Sequence, residues 1–452
     1  MRRRAASPRP PSGHRLAPAR HGSLRAGPGP RFPRPRFPRI GSMKCRHCSA
    51  ELRLPFLDLG HAPPSNAYLK PEDLNRPETT FPLRLLVCEQ CWLVQTEDYA
   101  GREALFTEEY AYFSSYSQSW LDHSRNYVEK MTDRFGLGEG SMVVEVAAND
   151  GYLLQYVQAA GVPCYGIEPT ASTAAAARKL GLEIVERFFG ETLGNELSAR
   201  GRAADLIAAN NVLAHVPDIN DFVIGFRQLL KPNGVATFEF PHLLRMVAES
   251  QFDTAYHEHY SYLSLTAVRH IFAANGLTVF DVEQIPTHGG SLRVYAQRTD
   301  TGTHPVAPSV QRLLSQEDES GLRTAAFYAG FQKQAEAVKN GLLAFLLQAH
   351  AEGKRVGAYG AAAKGNTLMN FAGVRPDLLP YVVDRNPAKQ NQYLPGSHIP
   401  VVDEATLQRD KPDYIVILPW NLKTEVSAQL AYAREWGARL VTAVPHLAIV
   451  PA

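Results

Sequence analysis

The segment 142–170, MVVEVAANDGYLLQYVQAAGVPCYGIEPT, constrains the fold of this chain more than any other stretch. Its β-branched run at 143–146 is typical of a strand buried on both faces of a sheet. A turn signal at 149–151 comes next, then apolar residues at helical spacing, then a second strand that ends at Glu168. This order of strand, tight loop, helix and strand predicts an α/β fold with a Rossmann-like central sheet.

The loop between that strand and helix is predicted to bind a cofactor. It lacks the G-x-G-x-x-G pattern, and Asp150 stands where a dinucleotide pyrophosphate would need N–H groups and no negative charge. An acidic residue about 20 residues beyond such a loop suits the hydroxyl groups of a ribose. We therefore expect S-adenosylmethionine (SAM), which carries a cationic α-amino group, rather than NAD; a crossover without any ligand is the alternative. The expected cofactor-binding residues are Glu145, Ala147, Asn149, Asp150, Gly151, Glu168 and Asn210.

Length and charge limit how the chain is organised. A chain of 452 residues is too long for a single hydrophobic core, so two or three domains are expected. Residues 1–42 hold 11 of the 47 Lys and Arg side chains and no acid, so the remainder is acidic overall. That balance gives no support for nucleic-acid binding. The Arg/Pro-rich segment 1–42 cannot form a core, and we expect a disordered extension or upstream sequence, with Met43 as the true start.

Targeting and membrane signals are not found in the sequence. Arg2 to Arg4 are not followed by the apolar run of an export signal. No window approaches the roughly 18 apolar residues that span a bilayer. A cytoplasmic protein without a membrane partner is expected.

Four of the five cysteines form two CxxC pairs, which are Cys45 with Cys48 and Cys88 with Cys91. Two such knuckles are the usual source of a tetrahedral Cys₄ zinc site, with two thiolates from each turn. Because all four ligands are cysteines, no position is open for catalysis, and we expect structural Zn²⁺. A disulfide pair and redox-active CxxC motifs are the alternatives. Cys164 is expected to be an inert core residue.

Two further segments carry groups suited to a pocket wall. The stretch 106–117 is rich in hydroxyl groups and includes Tyr110 among several aromatic side chains, although a capping loop packed on the core is the alternative. The strand at 204–210 is followed by a loop with Asn211 and His215, at the carboxyl end of the sheet where ligands of open α/β folds bind.

The run YHEHY at 256–260 is the most chemically loaded part of the chain. Its tyrosines, histidines and glutamate can exchange protons near neutral pH. If the run is extended, Tyr256, Glu258 and Tyr260 share one face while His257 and His259 share the other. A catalytic wall is favoured over a solvated polar strand. A metal site is disfavoured because the spacing lacks a third ligand.

The last third of the chain reads as a second Rossmann-like domain. Helical periodicity covers about 310–351, and then a strand at 355–360 leads into a small-residue loop and a helix start with Lys364. Exposed N–H groups at a helix N-terminus beside a lysine make a diphosphate site. Read alone, this domain could hold NAD instead.

Taken together, these motifs resemble the sugar C-methyltransferases that act on nucleotide-diphospho-4-keto-6-deoxyhexoses. The resemblance covers about residues 43–450 and includes the cysteine pairs, EVAANDGYLL, NNVLAHVPD, YHEHYSYLS, HGGSLRV and GAYGAAAKGNT. It implies a class I SAM-methyltransferase sheet closed by an antiparallel pair, with a small zinc-binding module before it and a Rossmann-like domain after it. The implied parts are a disordered extension at 1–42, the zinc module at 43–105, the methyltransferase domain at 106–300 and the nucleotide-sugar-binding domain at 301–452.

The resemblance also implies a reaction and its residues. A base removes the C3 proton, which the C4 carbonyl acidifies, and the enolate carbon attacks the sulfonium methyl. By motif position, the implied catalytic residues are His259 as base, Glu258 as its orienting neighbour, Tyr256 and Tyr110 around the C4 oxygen, and Asn211 and His215 lining the pocket. The implied substrate-binding residues are Lys364, near the phosphates, Thr367 and His288. A nucleotide-sugar substrate and a monomer are expected, and the rivals are sugar O-methylation, an NAD-dependent sugar oxidoreductase and a non-catalytic binding protein.

Overall fold

The computed structural model describes residues 43–97, 99 and 113–451. The predictions made for the Arg/Pro-rich segment 1–42 and for Tyr110 therefore lie outside the described residues. All other predicted site residues lie within the described ranges.

The strands are numbered in chain order. They are β1 Leu54–Ala62, β2 Phe81–Val87, β3 Val94–Thr96, β4 Val143–Val146, β5 Cys164–Ile167, β6 Ile184–Val185, β7 Ala204–Asn210, β8 Leu230–Pro241, β9 Ser261–Tyr262, β10 Leu277–Ile285, β11 Ser291–Arg298, β12 Val356–Tyr359, β13 Val382–Val383, β14 Val401–Val402, β15 Tyr414–Ile417, β16 Arg439–Thr442 and β17 Ala448–Pro451.

The α-helices connect and cover these strands. They are α1 Gln118–Phe135, α2 Leu154–Ala159, α3 Ala171–Lys179, α4 Glu191–Ala199, α5 Ile219–Leu229, α6 Leu243–Ala248, α7 Leu265–Ala274, α8 Pro308–Glu319, α9 Ala325–Tyr328, α10 Phe331–Ala351, α11 Ala363–Ala372, α12 Ala405–Asp410 and α13 Lys423–Gln429. Single turns of 3₁₀ helix lie at Pro71–Asp73, Ser114–Tyr116, Leu213–His215, Phe252–Thr254, Thr287–Gly289 and Trp420–Leu422, and a longer one at Ala431–Trp436.

The middle third forms a seven-stranded sheet in the order β10-β11-β8-β7-β4-β5-β6. Strands β4 to β8 pair in parallel, whereas β11 pairs antiparallel with both β8 and β10. Strand β4 is buried along its whole length, as its β-branched run predicts, and β7 is buried except at Asp205. A mostly parallel sheet closed by one antiparallel hairpin confirms the class I SAM-methyltransferase fold.

Residues Lys231 to Gly234, which follow the first residue of β8, form a bulge in the pairing of that strand with β7. The pairing of β7 with β8 jumps from Leu230 to Val235, so the four residues between them are looped out. Gly234 is required there, because a Cβ atom would lie 2.6 Å from the carbonyl oxygen of Ala204.

The first sheet belongs partly to the zinc-binding module and partly to the middle of the chain. Its order is β1-β2-β3-β9, and all of its pairs are antiparallel. Strand β9 begins at Ser261, directly after the YHEHY run. The segment 256–260 is therefore anchored at one end in the sheet of the N-terminal module.

The C-terminal sheet has the order β14-β13-β12-β15-β16-β17, with β17 as its antiparallel edge strand. The parallel order of the other five strands confirms the Rossmann-like C-terminal fold. One hydrophobic cluster joins this sheet to α10 and to strands β1 to β3, with Phe56 of β1 stacked 4.6 Å from Phe331 of α10.

Among the described residues, no helix is both long and apolar enough to cross a membrane.

Candidate active site

The cofactor loop follows β4 and adopts a strained backbone. Ala147, Asn149 and Gly151 have φ values of 61°, 49° and 83°, which lie in the left-handed region. A Cβ atom on residue 151 would lie 2.4 Å from Leu182, so only glycine fits. Such strain is typical of functional loops, because the surrounding structure must hold it in place.

Glu168 at the end of β5 holds this loop through both of its carboxylate oxygens. One oxygen accepts from the backbone N–H of Asn149 at 3.0 Å, and the other from that of Thr170 at 2.9 Å. Burial raises the pKa of Glu168, while these two N–H groups act in the opposite direction. The prediction that Glu168 lies beside the cofactor loop matches its position.

Further polar groups are buried at the carboxyl ends of the parallel strands. Neither amide atom of Asn210 has a hydrogen-bond partner among the described residues, although the side chain is buried. One carboxylate oxygen of Asp150 accepts from the backbone N–H of Ser115 at 3.1 Å, and the other is buried without a partner among the described residues. Burial raises the pKa of Glu145 well above its ordinary value, and neither of its carboxylate oxygens has a hydrogen-bond partner among the described residues. These acids and orphaned amide atoms fit the hydroxyl and ammonium groups of SAM.

The YHEHY run forms a turn rather than the extended segment that alternation predicts. The N–H of His259 donates to the carbonyl of Tyr256 at 2.9 Å, which brings these two side chains to the same side. Their rings lie 3.9 Å apart, and the Tyr256 hydroxyl is 2.7 Å from Nε2 of His259. The predicted separation of Tyr256 and His259 onto opposite faces is wrong, because an i, i+3 turn replaces the period-2 strand.

The hydrogen bonds of His259 define its tautomer. Its Nδ1 lies 2.9 Å from the carbonyl oxygen of Thr254, which can only accept, so Nδ1 carries the proton. Nε2 is then a lone-pair acceptor for the Tyr256 hydroxyl. Burial lowers the pKa of His259 well below its ordinary value, and the neighbouring His215 lowers it further. The imidazole is therefore neutral at physiological pH.

His215 lies against His259 with ring centroids 4.5 Å apart. Its Nδ1 donates to the backbone carbonyl of Glu258 at 2.9 Å, which ties the loop after β7 to the turn at 256–259. Burial lowers the pKa of His215 to about 4. Two neutral imidazoles thus face each other in the site.

The carboxylate of Glu258 is held by Asn66, a residue that sequence reasoning did not select. The Asn66 amide lies 2.9 and 2.7 Å from the two carboxylate oxygens. Burial raises the pKa of Glu258 to about 7, while the Asn66 hydrogen bond opposes the rise. Among the described residues the carboxylate makes no hydrogen bond to His259, so the predicted orienting contact is replaced by those of Thr254 and Tyr256. The only sequence signal for Asn66 was its place in a Pro-Pro-Ser-Asn turn of the N-terminal module.

Asn211 and His288 form a second pair on the other side of the site. Both residues have positive φ values, 53° and 54°, and the amide of Asn211 donates to Nε2 of His288 at 3.0 Å. Trp120 of α1 packs 5.1 Å from the His288 ring and 5.8 Å from Tyr152. Trp120 therefore connects this pair with Tyr152, directly after the cofactor loop.

The start of α11 brings the C-terminal domain to the same place. Thr367 donates to the carbonyl oxygen of Ala255 at 2.9 Å and lies 3.3 Å from the Ser65 hydroxyl. Lys364 donates to Asn421 at 2.7 Å. Of the predicted substrate residues, Thr367 thus contacts the residue before Tyr256, whereas Lys364 contacts Asn421 and His288 contacts Asn211.

The four predicted metal ligands form a separate cluster. Their Sγ atoms all lie within 4.8 Å of one another, with contacts of 3.6, 3.4 and 3.8 Å. A tetrahedral zinc with Zn–S bonds of about 2.3 Å requires sulfur atoms about 3.8 Å apart. The donor set and its spacing therefore fit Zn²⁺. The cluster residues are Cys45, Cys48, Cys88 and Cys91, while Cys164 lies apart in β5.

Comparisons with known proteins agree with this arrangement. Family models match residues 45–106 (“Putative zinc binding domain”), 120–282 (“Methyltransferase domain”) and 286–445 (“C-methyltransferase C-terminal domain”). The curated C-methyltransferase NovU of Streptomyces niveus is 32% identical over 409 residues, which cover 90% of this chain and 97% of NovU.

Solved structures are more distant. Magnesium protoporphyrin IX methyltransferase from Synechocystis PCC 6803, with bound SAM, is 15% identical with a TM-score of 0.30, covering 40% of this chain and 81% of that one. A SAM-dependent methyltransferase from Clostridium acetobutylicum is 10% identical with a TM-score of 0.32, covering 40% and 92%. Likeness at this level carries no argument about the reaction.

Proposed function

Since this chain belongs to the family of the C-methyltransferase NovU, and is thus a SAM-dependent methyltransferase, we propose that it methylates C3 of a nucleotide-diphospho-4-keto-6-deoxyhexose. The observation that carries the proposal is the hydrogen bond between Tyr256 and the neutral imidazole of His259. A buried base in contact with a hydroxyl group suits removal of a proton from carbon beside a carbonyl. Methylation at carbon requires that step, because the carbon must first become a nucleophile.

The cofactor supplies an electrophilic methyl group on a sulfonium. In the proposal, Glu168 accepts hydrogen bonds from the ribose hydroxyls while it keeps the loop at Asn149 in place. Asp150 and the buried amide of Asn210 bind the amino-acid end, where a carboxylate balances the ammonium charge. Glu145 of β4, whose two carboxylate oxygens have no partner among the described residues, is proposed to contribute to the same end of the cofactor site.

His259 is proposed as the acceptor of the C3 proton. Its Nδ1–H is committed to Thr254, so the basic electron pair is on Nε2, where Tyr256 now donates. As the C–H bond breaks, its electron pair forms the C3–C4 double bond, and the carbonyl pair moves onto the C4 oxygen. In one route the Tyr256 hydroxyl leaves Nε2, which then accepts the C3 proton directly. In the other, Tyr256 accepts the C3 proton and gives its own proton to Nε2. The enolate carbon then takes the methyl group, and the bonding pair of the sulfonium stays on sulfur.

The other site residues orient this pair and the substrate. His215 packs on His259, and Asn211 fixes His288 on the opposite wall. Glu258 is proposed to hold the turn through Asn66. Tyr110, the second tyrosine assigned to the C4 oxygen, stays a prediction.

Zinc is proposed to be structural in this function. All four donors of the cluster are thiols, and none of the proposed reacting groups is a member of it. Tetrahedral Cys₄ sites have no open position for a substrate.

The test is a comparison of two histidine variants. His259→Asn keeps a similar shape but removes the basic nitrogen, so turnover should fall roughly 10²- to 10⁴-fold, the usual contribution of a general base. His257→Asn is the matched control, because His257 is also buried but donates to Pro82, away from the proposed reaction, and should stay near wild type.

The substrates for this test are the dTDP-, UDP- and GDP-linked 4-keto-6-deoxyhexoses, with product carbon and oxygen methylation distinguished by NMR. Wild-type enzyme should place the methyl group on C3. Methyl found on a hydroxyl oxygen would replace the proposal with O-methylation. A His259→Asn enzyme of normal rate would move the base to a tyrosine.

A further inference from the structure

Lys364 is positioned by the first turn of α11 and by aromatic packing. Its Nζ donates to the side-chain oxygen of Asn421 at 2.7 Å and lies 4.5 Å from the centre of the Trp420 ring. An ammonium over an indole face is held by cation–π attraction as well as by the hydrogen bond. The side chain is therefore directed by two groups, the Asn421 amide oxygen and the Trp420 ring, rather than extended into solvent.

One helical turn after Lys364, α11 is hydrogen-bonded to the residue that precedes the turn at 256–259. Thr367 donates to the carbonyl oxygen of Ala255, the residue immediately before Tyr256. Lys364 and Thr367 are three residues apart and hence share a helix face. The helix face that carries Lys364 is thus packed along the segment that carries the proposed base.

Trp420 connects Lys364 with the opposite wall of the site. Its Nε1 donates to Asp253 at 2.8 Å. A Cβ atom on Gly289 would lie 2.6 Å from the edge of the indole ring, so the ring touches the backbone beside His288. Lys364, Asp253 and the backbone of Gly289, next to His288, therefore contact one indole ring.

The charges and pKa shifts of Asp253 and Lys364 are consistent with the two side chains lying close together. Asp253 is fully buried, and one of its oxygens has no hydrogen-bond partner among the described residues. Burial lowers the pKa of Lys364 to about 8, and Asp253 acts against that change, so the amine is mostly protonated at pH 7. Burial is the largest cause of the lowered pKa values of His288 and His259. The positive charge of Lys364 lowers both pKa values further.

The loop before α11 is less suited to a diphosphate than its sequence indicates. The N–H of Ala361 donates to the Asp384 carboxylate at 2.8 Å. Lys389 donates to the carbonyl oxygen of Ala361 and lies 3.7 Å from Asp384. The N–H group that a phosphate would need already donates to a carboxylate. The negative charge of that carboxylate would also repel a phosphate.

We propose that Lys364 is a catalytic residue whose ammonium stabilises the negative charge on the C4 oxygen when the C3 proton leaves, with Asp253 and Trp420 as its positioning residues. This role rests on the proposed function and departs from that of a diphosphate ligand. The charge appears only as the C–H bond breaks, so Lys364 stabilises the transition state more than the bound ketone.

The test separates proton removal from nucleotide binding. Lys364→Met and Lys364→Gln are compared with wild type in D₂O, with S-adenosylhomocysteine in place of SAM, by following exchange of the C3 hydrogen in the dTDP-, UDP- and GDP-linked 4-keto-6-deoxyhexoses. Exchange at saturating substrate should fall roughly 10²- to 10³-fold in both variants, the usual loss for one oxyanion stabiliser. The dissociation constants of dTDP, UDP and GDP without the sugar should change less than about threefold.

Three controls make the result decisive. Lys354→Met removes a lysine that pairs with Asp413 on the surface of the same domain, and it should exchange at the wild-type rate. Asp253→Asn should lower exchange by a smaller factor, because it leaves the amine of Lys364 in place and alters only its positioning and its pKa. Lys364→Gln retains a donor for Asn421, so it tests the charge even where Lys364→Met unfolds.

Two results would overturn the assignment while leaving the proposed function intact. One is normal exchange in folded Lys364→Gln enzyme. The other is a large loss of affinity for the nucleoside diphosphates with exchange unchanged at saturation, which would return Lys364 to the phosphates. Absence of exchange in wild-type enzyme with every keto-sugar would instead overturn the proposed function, and the role of Lys364 with it.

Discussion

Glu258 shows how burial alone changes the chemistry of a carboxyl group. It is 1% exposed, and its pKa is raised to about 7 in the folded state although Asn66 donates to it. An acid whose pKa is raised by folding keeps its proton in the native state while the unfolded chain has already lost it. Between the ordinary pKa of 4.5 and about 7, this group therefore makes the protein less stable as pH rises.

Replacing Glu258 should remove that pH dependence. Glu258→Gln should gain stability relative to wild type between pH 4.5 and 7.5, by up to about 3 kcal/mol, the equivalent of a shift of this size. Urea unfolding at several pH values measures the difference. Glu139→Gln, at an exposed position, is the matched control and should track wild type. A constant difference across this pH range in Glu258→Gln would show that the pKa of the carboxyl is not raised.

Glu168 makes a second prediction at the residue scale, for cofactor affinity. Glu168→Gln can accept only one of the two backbone N–H groups, because its amide nitrogen faces the other as a second donor. SAM affinity should weaken by roughly 1.5–3 kcal/mol, the scale of hydrogen bonds to charged groups. Titration calorimetry with SAM measures this loss, and Glu186→Gln, in an exposed ion pair with Arg178, serves as control. Unchanged affinity in Glu168→Gln would place the ribose elsewhere.

At the scale of elements, strand pairing and hydrogen bonds join the zinc-binding module to the turn at 256–259. Strand β9 pairs with β3, and the Thr96 side chain donates to the backbone oxygen of His259 at 3.3 Å. Arg46, inside the first CxxC knuckle, donates to the carbonyl oxygens of Pro217 and Thr96 at 2.9 and 3.0 Å. The knuckle therefore contacts the loop that follows His215 directly and reaches the segment of His259 through Thr96.

Loss of the metal should disturb catalysis as well as stability. Cys88→Ser removes one thiolate of the cluster, and the expected result is less than one zinc per chain, a lower melting temperature and reduced turnover. Elemental analysis, calorimetry and a methyl-transfer assay measure the three effects. Cys164→Ser, outside the cluster, is the control and should keep its metal content. A stable, metal-free and fully active Cys88→Ser enzyme would contradict the structural role.

At the scale of the whole molecule, the N-terminal and C-terminal parts are held together by a common core. Leu85 and Val94 of the first sheet belong to the same buried cluster as Leu342 of α10 and Val416 of the C-terminal sheet. Ser42–Ala452 accordingly form one compact unit. Burial shared between distant segments couples their unfolding.

This coupling predicts a single thermal transition for residues 43–452. A fragment of residues 43–300 lacks α10 and the C-terminal sheet, so it would expose the side chains that pack on them, including Phe56. It should aggregate or unfold without a cooperative transition, whereas the 43–452 chain should show one calorimetric peak. A soluble fragment with a sharp transition of its own would show that the methyltransferase part folds independently.

The sequence alone determined the features that depend on local pattern. Valine runs and helical spacing predicted β4, the helix after it and an α/β fold with a Rossmann-like central sheet, because burial of each face follows the period of the element. The two CxxC knuckles predicted a sulfur cluster, since each knuckle brings two thiols together within one turn. The Asn-Asp-Gly loop and Glu168 were also predictable, as they lie within one strand–helix–strand unit.

Only the tertiary structure decided how distant segments meet. Asn66 and Glu258 are 192 residues apart in the sequence, and Trp420 and Asp253 are 167 residues apart. No local pattern encodes either contact. The turn that joins Tyr256 to His259 was also decided by context, because β9 must enter the first sheet while Ala255 stays bound to α11. Local sequence sets the hydrogen bonds and buried faces of single elements, whereas the active site arises where three sheets are packed against one another.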